Sequence, residues 1–458
     1  MLHEERAEPT TVEGLPGEDV PVNEPDVPLP KPPSLFRNRD YLLLWSGDAV
    51  STIGTSISTI GYPLLILFTT GSYSGAGLVT AAGFIGSTVP TLLGGALADR
   101  VSRKAILALT AVAQAIVGGC VAALVASGHH PLSLLAAAAL VSGIAAGMGR
   151  GAQVPTMRRI VPPEQMSAAY SQIEGRDMAA QLLGNPLGSI LFAVARWLPF
   201  GADAVSFLFA AAGAVLIRRP LGPERAEKYE GPGYLSDVAS GVRYVLHVPF
   251  LRYIAVWSAV ANIALTAYSL LLVMMLRYRG ADPTTIGFMI SIALIGGVAG
   301  AVAAQQIVTR LPARVVFLLG NWGFGAGLVL VAVLQAPWEI ALAALLSILL
   351  FVPMVAALSP YEIGLVPDEF SGRVSAVMMF SNTALTWAGP LVAGFVAGLL
   401  DPPAAALIFG GIFALIAVVS HLAPSLRLLN TPVSEVKEFV PPEVTRASAS
   451  RLCLPGTA

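Results

Sequence analysis

The sequence predicts an all-α membrane protein with twelve transmembrane helices in two pseudo-symmetric six-helix bundles. Three observations lead there. Apolar residues make up 55% of the 458-residue chain and Asp, Glu, Lys and Arg only 12%, whereas a soluble protein carries roughly 25% charged residues. Twelve apolar stretches of spanning length follow one another, and a weak internal repeat relates the first six to the last six. With a mean hydropathy of +0.72, the chain cannot clothe its surface in charge, so lipid must replace water as solvent over much of it. A soluble enzyme, a disordered chain and a secreted disulfide scaffold are excluded. A net charge of −1 gives a nucleic-acid partner no electrostatic support.

A membrane helix takes about 20 apolar residues. The spans lie near 41–68, 77–98, 105–127, 132–154, 169–195, 202–217, 253–276, 284–307, 315–335, 338–358, 374–399 and 404–423. A closed β-barrel is the other spanning solution, but its strands alternate apolar and polar residues. Runs such as Ala105–Ala126 are apolar on every side, so helices are expected. Orientation follows the Lys and Arg of the short loops. With a cytoplasmic N-terminus, the inner loops hold Arg100, Arg103 and Lys104; Arg150, Arg158 and Arg159; Arg218, Arg219, Arg225, Lys228, Arg243 and Arg252; Arg310 and Arg314; and Arg373. The outer loops hold Arg196, Arg277 and Arg279. Both termini are therefore expected in the cytoplasm, with the chain in a bacterial plasma (inner) membrane.

Five segments are expected. Residues 1–34, rich in Pro and Glu, read as a disordered tail, and Met1-Leu2-His3-Glu4-Glu5 is no signal-peptide start. Residues 35–217 form the N-terminal six-helix bundle. Residues 218–252 form a cytoplasmic linker, in which Tyr234–Val245 repeats its apolar residues at helical spacing, as an interfacial helix does. Residues 253–423 form the C-terminal bundle and 424–458 a second tail. The repeat runs across the linker. Gly77, Ile85, Gly86 and Arg100 match Gly287, Ile295, Gly296 and Arg310 at a constant offset of 210 residues. Val161-Pro162-Pro163-Glu164 echoes Val366-Pro367-Asp368-Glu369, and Pro186 pairs with Pro390. Parallel halves of this kind hold a substrate near midplane and rock to alternate its access.

The chemistry is sparse. Cys120 and Cys453 make no framework, and His3, His129, His130, His247 and His421 form no metal cluster, so no metal and no cofactor are expected. No lysine follows a glycine, as a phosphate-cradling loop requires. No G-x-S-x-G or H-E-x-x-H occurs, so the chain is not expected to be an enzyme. Charges inside the spans are few. Asp48 lies roughly 10 Å into the first span by helix rise. Glu174, Arg176 and Asp177 lie in the fifth, the two acids three apart on one face. Such residues pair or line a cavity, so they are candidates for proton coupling or for a static ion-pair network. Thr55, Ser56, Gln181, Asn185, Asn262, Tyr268, Asn382 and Trp387 are candidate cavity residues, each equally fit for an interhelical hydrogen bond. Gly184-Asn185-Pro186-Leu187-Gly188 in span five and Gly389-Pro390 in span eleven are places where a helix can bend.

The loop after span two reads Gly95-Ala96-Leu97-Ala98-Asp99-Arg100-Val101-Ser102-Arg103-Lys104. It resembles the signature loop of the major facilitator superfamily, with Ser102 in place of the usual second glycine. The resemblance covers about 36–423 and implies that Asp99 faces the start of the eleventh helix near Ser371–Ser375. There it would act with Gly95, Arg100, Arg103 and Lys104 as a latch that breaks in one state. Phe36-Arg37-Asn38-Arg39-Asp40-Tyr41 and Leu44-Trp45-Ser46-Gly47 resemble the start of the branch containing siderophore and macrolide exporters. Many relatives there carry an amide at position 48 and an acid two turns later; here Asp48 is the acid and Thr55 follows. Gly184–Gly188 resembles a degenerate exporter motif, and the Arg of many proton-coupled relatives near the middle of span four is absent, with Arg150 at that span's end. The resemblance implies a monomeric secondary transporter that exports a bulky amphipathic small molecule in exchange for protons. An importer or uncoupled transporter of the same fold, or a non-transporting receptor or lipid-handling scaffold, are the alternatives.

Overall fold

The computed structural model describes residues 35–98, 100–219, 221–222 and 234–439. Asp99, Arg225, Lys228, the expected tail at 1–34 and residues 440–458 of the expected tail at 424–458 lie outside the described residues. The helices are α1 (Arg39–Thr69), α2 (Tyr73–Ala98), α3 (Arg103–Ala126), α4 (Leu132–Ile160), α5 (Met166–Val194), α6 (Leu198–Leu216), α7 (Tyr234–His247), α8 (Pro249–Tyr278), α9 (Pro283–Arg310), α10 (Ala313–Val333), α11 (Pro337–Gly364), α12 (Asp368–Thr383), α13 (Ala388–Leu399) and α14 (Pro402–Leu422). Nine of them are long and apolar enough to cross a membrane by length and composition. With α2, α5 and the split pair α12–α13 they make the twelve expected spans. Among the unbroken spans, lengths run from 31 residues in α1 to 19 in α6.

Local chemistry sets the helix ends. Asn38 caps α1 by accepting from the amides of Asp40 and Tyr41, and Asp282 caps α9 through Thr284 and Thr285. Hydrogen bonds, led by the Thr285 hydroxyl, hold the Asp282 carboxyl below its ordinary range. Proline opens the first turn of α6, α8, α9, α11 and α14, where its missing N–H costs nothing. Basic side chains close the C-termini: Lys104 donates to Ile217 O at 2.9 Å, Arg219 to Arg159 O at 2.9 Å, and Arg279 to Ala332 O at 2.8 Å.

Within each half, glycine decides how closely helices approach. Gly143, Gly147 and Gly151 of α4 sit directly against the carbonyl oxygens of Gly83, Ser87 and Thr91 of α2. Both rows advance by four residues, so the two helices mesh at every turn without a side chain between them. Gly296 and Gly300 of α9 meet the carbonyls of Leu345 and Leu349 of α11 in the same way. On α1, Gly47, Gly54 and Gly61 recur every seven residues and receive Ala210, Ser206 and Pro199 of α6.

The linker helix α7 docks on α12 and α8. Gly241 meets the backbone of Arg373, and the Tyr244 ring stacks on Phe370 with centroids 5.2 Å apart. The Tyr244 hydroxyl lies 2.9 Å from Leu365 O and 2.8 Å from Phe439 O. Phe439 N donates to Leu365 O at 3.0 Å. The described part of the C-terminal segment is therefore strapped across this end of the bundle, with Leu426 and Leu429 buried.

Gly147→Val pushes a branched side chain into the α2 backbone and is expected to cost about 2–3 kcal/mol or more. Gly119→Val, at a position where a Cβ meets nothing within 4 Å, is the control. Thermal unfolding of the purified proteins checks this; equal midpoints for the two variants contradict the close-packing argument.

Candidate functional site

At the end of the bundle that holds Leu35 and Phe439, one polar cluster joins three helices. Asp48 of α1 accepts from Gln153 Nε2 of α4 at 2.6 Å and lies 3.6 Å from Arg176 Nη1 of α5. Arg176 is buried and turns its fork onto its neighbour Asp177, with contacts of 2.8 and 2.9 Å, and onto the Trp45 carbonyl at 3.4 Å. One guanidinium thus serves two carboxylates from two helices. The acids brought together are Asp48 and Asp177. Glu174 is exposed and makes no hydrogen bond or ion pair among the described residues. Of the loop motif, Arg103 donates to Pro155 O at 3.3 Å and Lys104 to Ile217 O, both inside the N-terminal half. Gly95 runs beside Gly151, and Arg100 is exposed.

The halves meet chiefly through α2–α13, α5–α9 and α1–α8, and the close contacts lie toward the opposite end. Gly77 of α2 presses on Pro390 O and Gly394, while Gly287 of α9 presses on Asn185 O and Ser189 of α5. These are the glycines that the sequence repeat pairs, and each grips the other half. The Arg277 guanidinium stands 4.0 Å over the Phe68 ring, adding a cation–π contact between α8 and α1.

Two prolines shape this interface. Pro186 has no N–H for the carbonyl of Leu182 four residues earlier. Ser291 of α9 supplies the missing donor from the other half at 2.9 Å. Gly184 and Gly188, on either side of Pro186, let α5 lie against Ser56 and Ile57 of α1. Pro390 likewise frees the carbonyl of Thr386, and the Thr266 hydroxyl of α8 fills it at 2.8 Å. The helical run of span eleven breaks at this point, over Ala384–Trp387 between α12 and α13.

Three expected cavity residues converge on that break. Asn262 Nδ2 donates to Asn382 Oδ1 at 3.0 Å, and Trp387 Nε1 donates to Ala384 O at 3.0 Å. Ser381 donates to Ala255 O at 2.7 Å, so α8 and the broken helix share a polar seam. Asn185 is half-buried, and Thr55 and Gln181 are exposed. Tyr268 stands apart from this group: its ring packs edge-on against Phe324 with centroids 5.2 Å apart, deep inside the C-terminal half.

Sequence reasoning passed over Asp203. It is buried, between α1 and α6, and its Oδ1 lacks a hydrogen-bond partner. The expected sixth span began at 202, which put Asp203 at the span's mouth. The helix begins at Leu198, with Pro199 in its first turn, so the carboxyl lies inside.

Comparison with known proteins bears on this architecture. A family profile described as Major Facilitator Superfamily matches residues 44–278 and 253–453. The multidrug efflux pump Tap of Mycolicibacterium fortuitum is 24% identical over 403 residues, covering 85% of this chain and 97% of that protein. Its namesake in Mycobacterium tuberculosis is 25% identical over 299 residues, 61% of this chain and 68% of that one. Among solved structures, the nucleoside transporter NupG superposes with a TM-score of 0.66 at 14% identity, over 83% of this chain and 98% of that one. A bacterial homologue of the iron transporter ferroportin, in an inward-facing state, gives 0.61 at 19% identity, over 84% and 99%.

Two substitutions test the geometry. Arg176→Met strands two carboxylates and is expected to cost about 2–3 kcal/mol of stability, with the added change Asp48→Asn restoring part of it; thermal unfolding measures both. Ser291→Ala leaves the Leu182 carbonyl without its donor and is expected to weaken this closed contact by about 1–2 kcal/mol. Spin-label distances between α5 and α9 read that shift, and an unchanged distance distribution contradicts it.

Proposed function

Because the chain belongs to the Major Facilitator Superfamily, we propose that it is an exporter of bulky amphipathic small molecules, driven by proton exchange and working by alternating access. The interface geometry carries this reading. The halves clasp each other at one end, through Gly77–Gly394, Gly287–Ser189 and Ser291–Leu182, and the same surfaces must part when the path opens there. The excess of basic residues in loops at the other end supports a cytoplasmic location for both termini in a bacterial inner membrane. The conformation described is then one open to the cytoplasm.

Residues 35–217 and 253–423 are the rocking units. The linker 218–252 joins them, and one chain suffices because the path runs between its own halves. Asp48, Arg176 and Asp177 are the proton-coupling group: the acids share one cation, so a proton added to either releases Arg176 toward the other. Glu174 lies one turn away as an entry carboxylate. Asp99, with Gly95, Arg100, Arg103 and Lys104, is the latch at the cytoplasmic end. Gly184, Pro186, Gly188, Gly389 and Pro390 allow α5 and span eleven to reshape as the halves move. Thr55, Gln181, Asn185, Asn262, Asn382 and Trp387 line the path, with Tyr268 supporting it from within the C-terminal half. The mycobacterial relatives named as multidrug efflux pumps favour drug-like, apolar cargo over a sugar or an ion.

Inside-out vesicles holding the protein are expected to accumulate a lipophilic dye when their lumen is made acidic. Asp48→Asn is expected to lower that accumulation about 100-fold or more, the scale of a lost acid–base group. Accumulation under the reversed gradient makes the protein an importer; transport indifferent to the gradient removes proton exchange.

A further inference from the structure

We propose that Asp203 is a second proton-binding site, set between α1 and α6 at the end of the N-terminal half away from the Asp48 cluster. The carboxyl is 7% exposed and lies five residues beyond Leu198 in a helix that crosses the apolar layer. Ser206 donates to the Asp203 backbone carbonyl, not to the carboxyl. A Cβ on Gly54 would lie 3.0 Å from Oδ1, so the absence of a side chain there leaves just enough room for the acid. No ion pair reaches it among the described residues. An isolated carboxylate is costly in such a place and ordinarily finds a partner.

The surroundings suit the neutral acid. Two α1 side chains face it, Ser58 and Tyr62. The Ser58 hydroxyl donates to Thr55 O at 3.2 Å and can turn to the carboxyl as a donor instead, while Oδ1 is left without a partner. One neutral hydroxyl is poor compensation for a carboxylate's charge inside the apolar layer. Among the described residues, Tyr62 is the one titratable group facing the site. The ionisable residues of α3 are Arg103 and Lys104 at the far side of the half and Cys120, which is exposed. Those of α5 are Tyr170, Glu174, Arg176 and Asp177, all in its first half. A bound proton removes that charge and needs no cation.

The position gives the site a use, which rests on the proton-driven export proposed above. Asp48, Ser51, Thr55, Ser58 and Tyr62 recur at three- and four-residue steps on one face of α1. One helix thus borders a carboxyl near each end, and the two acids can be loaded from opposite sides of the membrane. Asp203 takes its proton from the side opposite the termini and keeps it while that end is clasped shut.

Infrared difference spectroscopy of the full chain in lipid nanodiscs tests this directly. The wild type is expected to show the carbonyl stretch of a buried, protonated carboxyl near neutral pH. Asp203→Asn, which keeps the shape of the neutral acid, should lose that band, and Asp203→Glu should retain it at a displaced frequency. A wild type without the band, or an Asp203→Asn spectrum that keeps it, overturns the proposal. Should Asp203→Asn fail to fold, the Asp203→Glu spectrum decides alone: an undisplaced band is contrary, a displaced one supportive. The band lost as expected, in a protein whose wild type ignores the proton gradient, leaves the site standing and removes proton-driven export instead.

Discussion

A backbone carbonyl inside a bilayer has no water to turn to, and much of this molecule's organisation follows from that constraint. Helices satisfy nearly all of it internally. Two of the exceptions, at Pro186 and Pro390, lie at the surface between the halves. Leu182 O, freed by Pro186, is answered by Ser291 of the opposite half; Thr386 O, freed by Pro390, is answered by Thr266 of the same half. The first bond must break when the halves part, whereas the second travels with its bundle. Pseudo-symmetric prolines therefore perform unlike tasks, one holding two bodies together and the other securing a discontinuity within one body.

The glycines work to the same end. Where glycine meets carbonyl at four-residue steps, between α2 and α4 and between α9 and α11, there is no side chain to repack and the pair behaves as a single rigid piece. Between halves, contact through Gly77, Gly287, Gly394 and Gly398 is confined to one end of the bundle. Rigid within and separable between is what rocking requires.

The architecture was legible in the sequence because its signals are compositional: apolar runs of spanning length and the alternation of basic loops need no tertiary information. The site was legible only in part. Asp48, Arg176 and Asp177 announced themselves as charges in apolar runs, yet helical spacing alone paired Glu174 with Asp177, whereas the guanidinium of Arg176 selects Asp48 across the gap between α1 and α5. Asp203 escaped because hydropathy places the start of α6 too late; a first turn of Leu198-Pro199-Phe200-Gly201 is apolar enough to belong to the helix but follows Arg196 and Trp197 too closely to be separated from the loop. The break at Ala384–Trp387 contains neither glycine nor proline. Its cause lies downstream, at Gly389 and Pro390, and its stability depends on Thr266 from another helix, which no local window contains.

The unequal helices described above carry a consequence for the surrounding lipid. At 1.5 Å per residue α1 is about 46 Å long and α6 about 28 Å, against a hydrocarbon layer of roughly 30 Å. Side by side through their glycine stripe, they cannot both match one bilayer, so α1 must lean or protrude while α6 stays short. Acyl-chain length therefore enters the energy of every pose of the N-terminal half, and a thicker or thinner host membrane biases the protein toward one pose without touching a single residue.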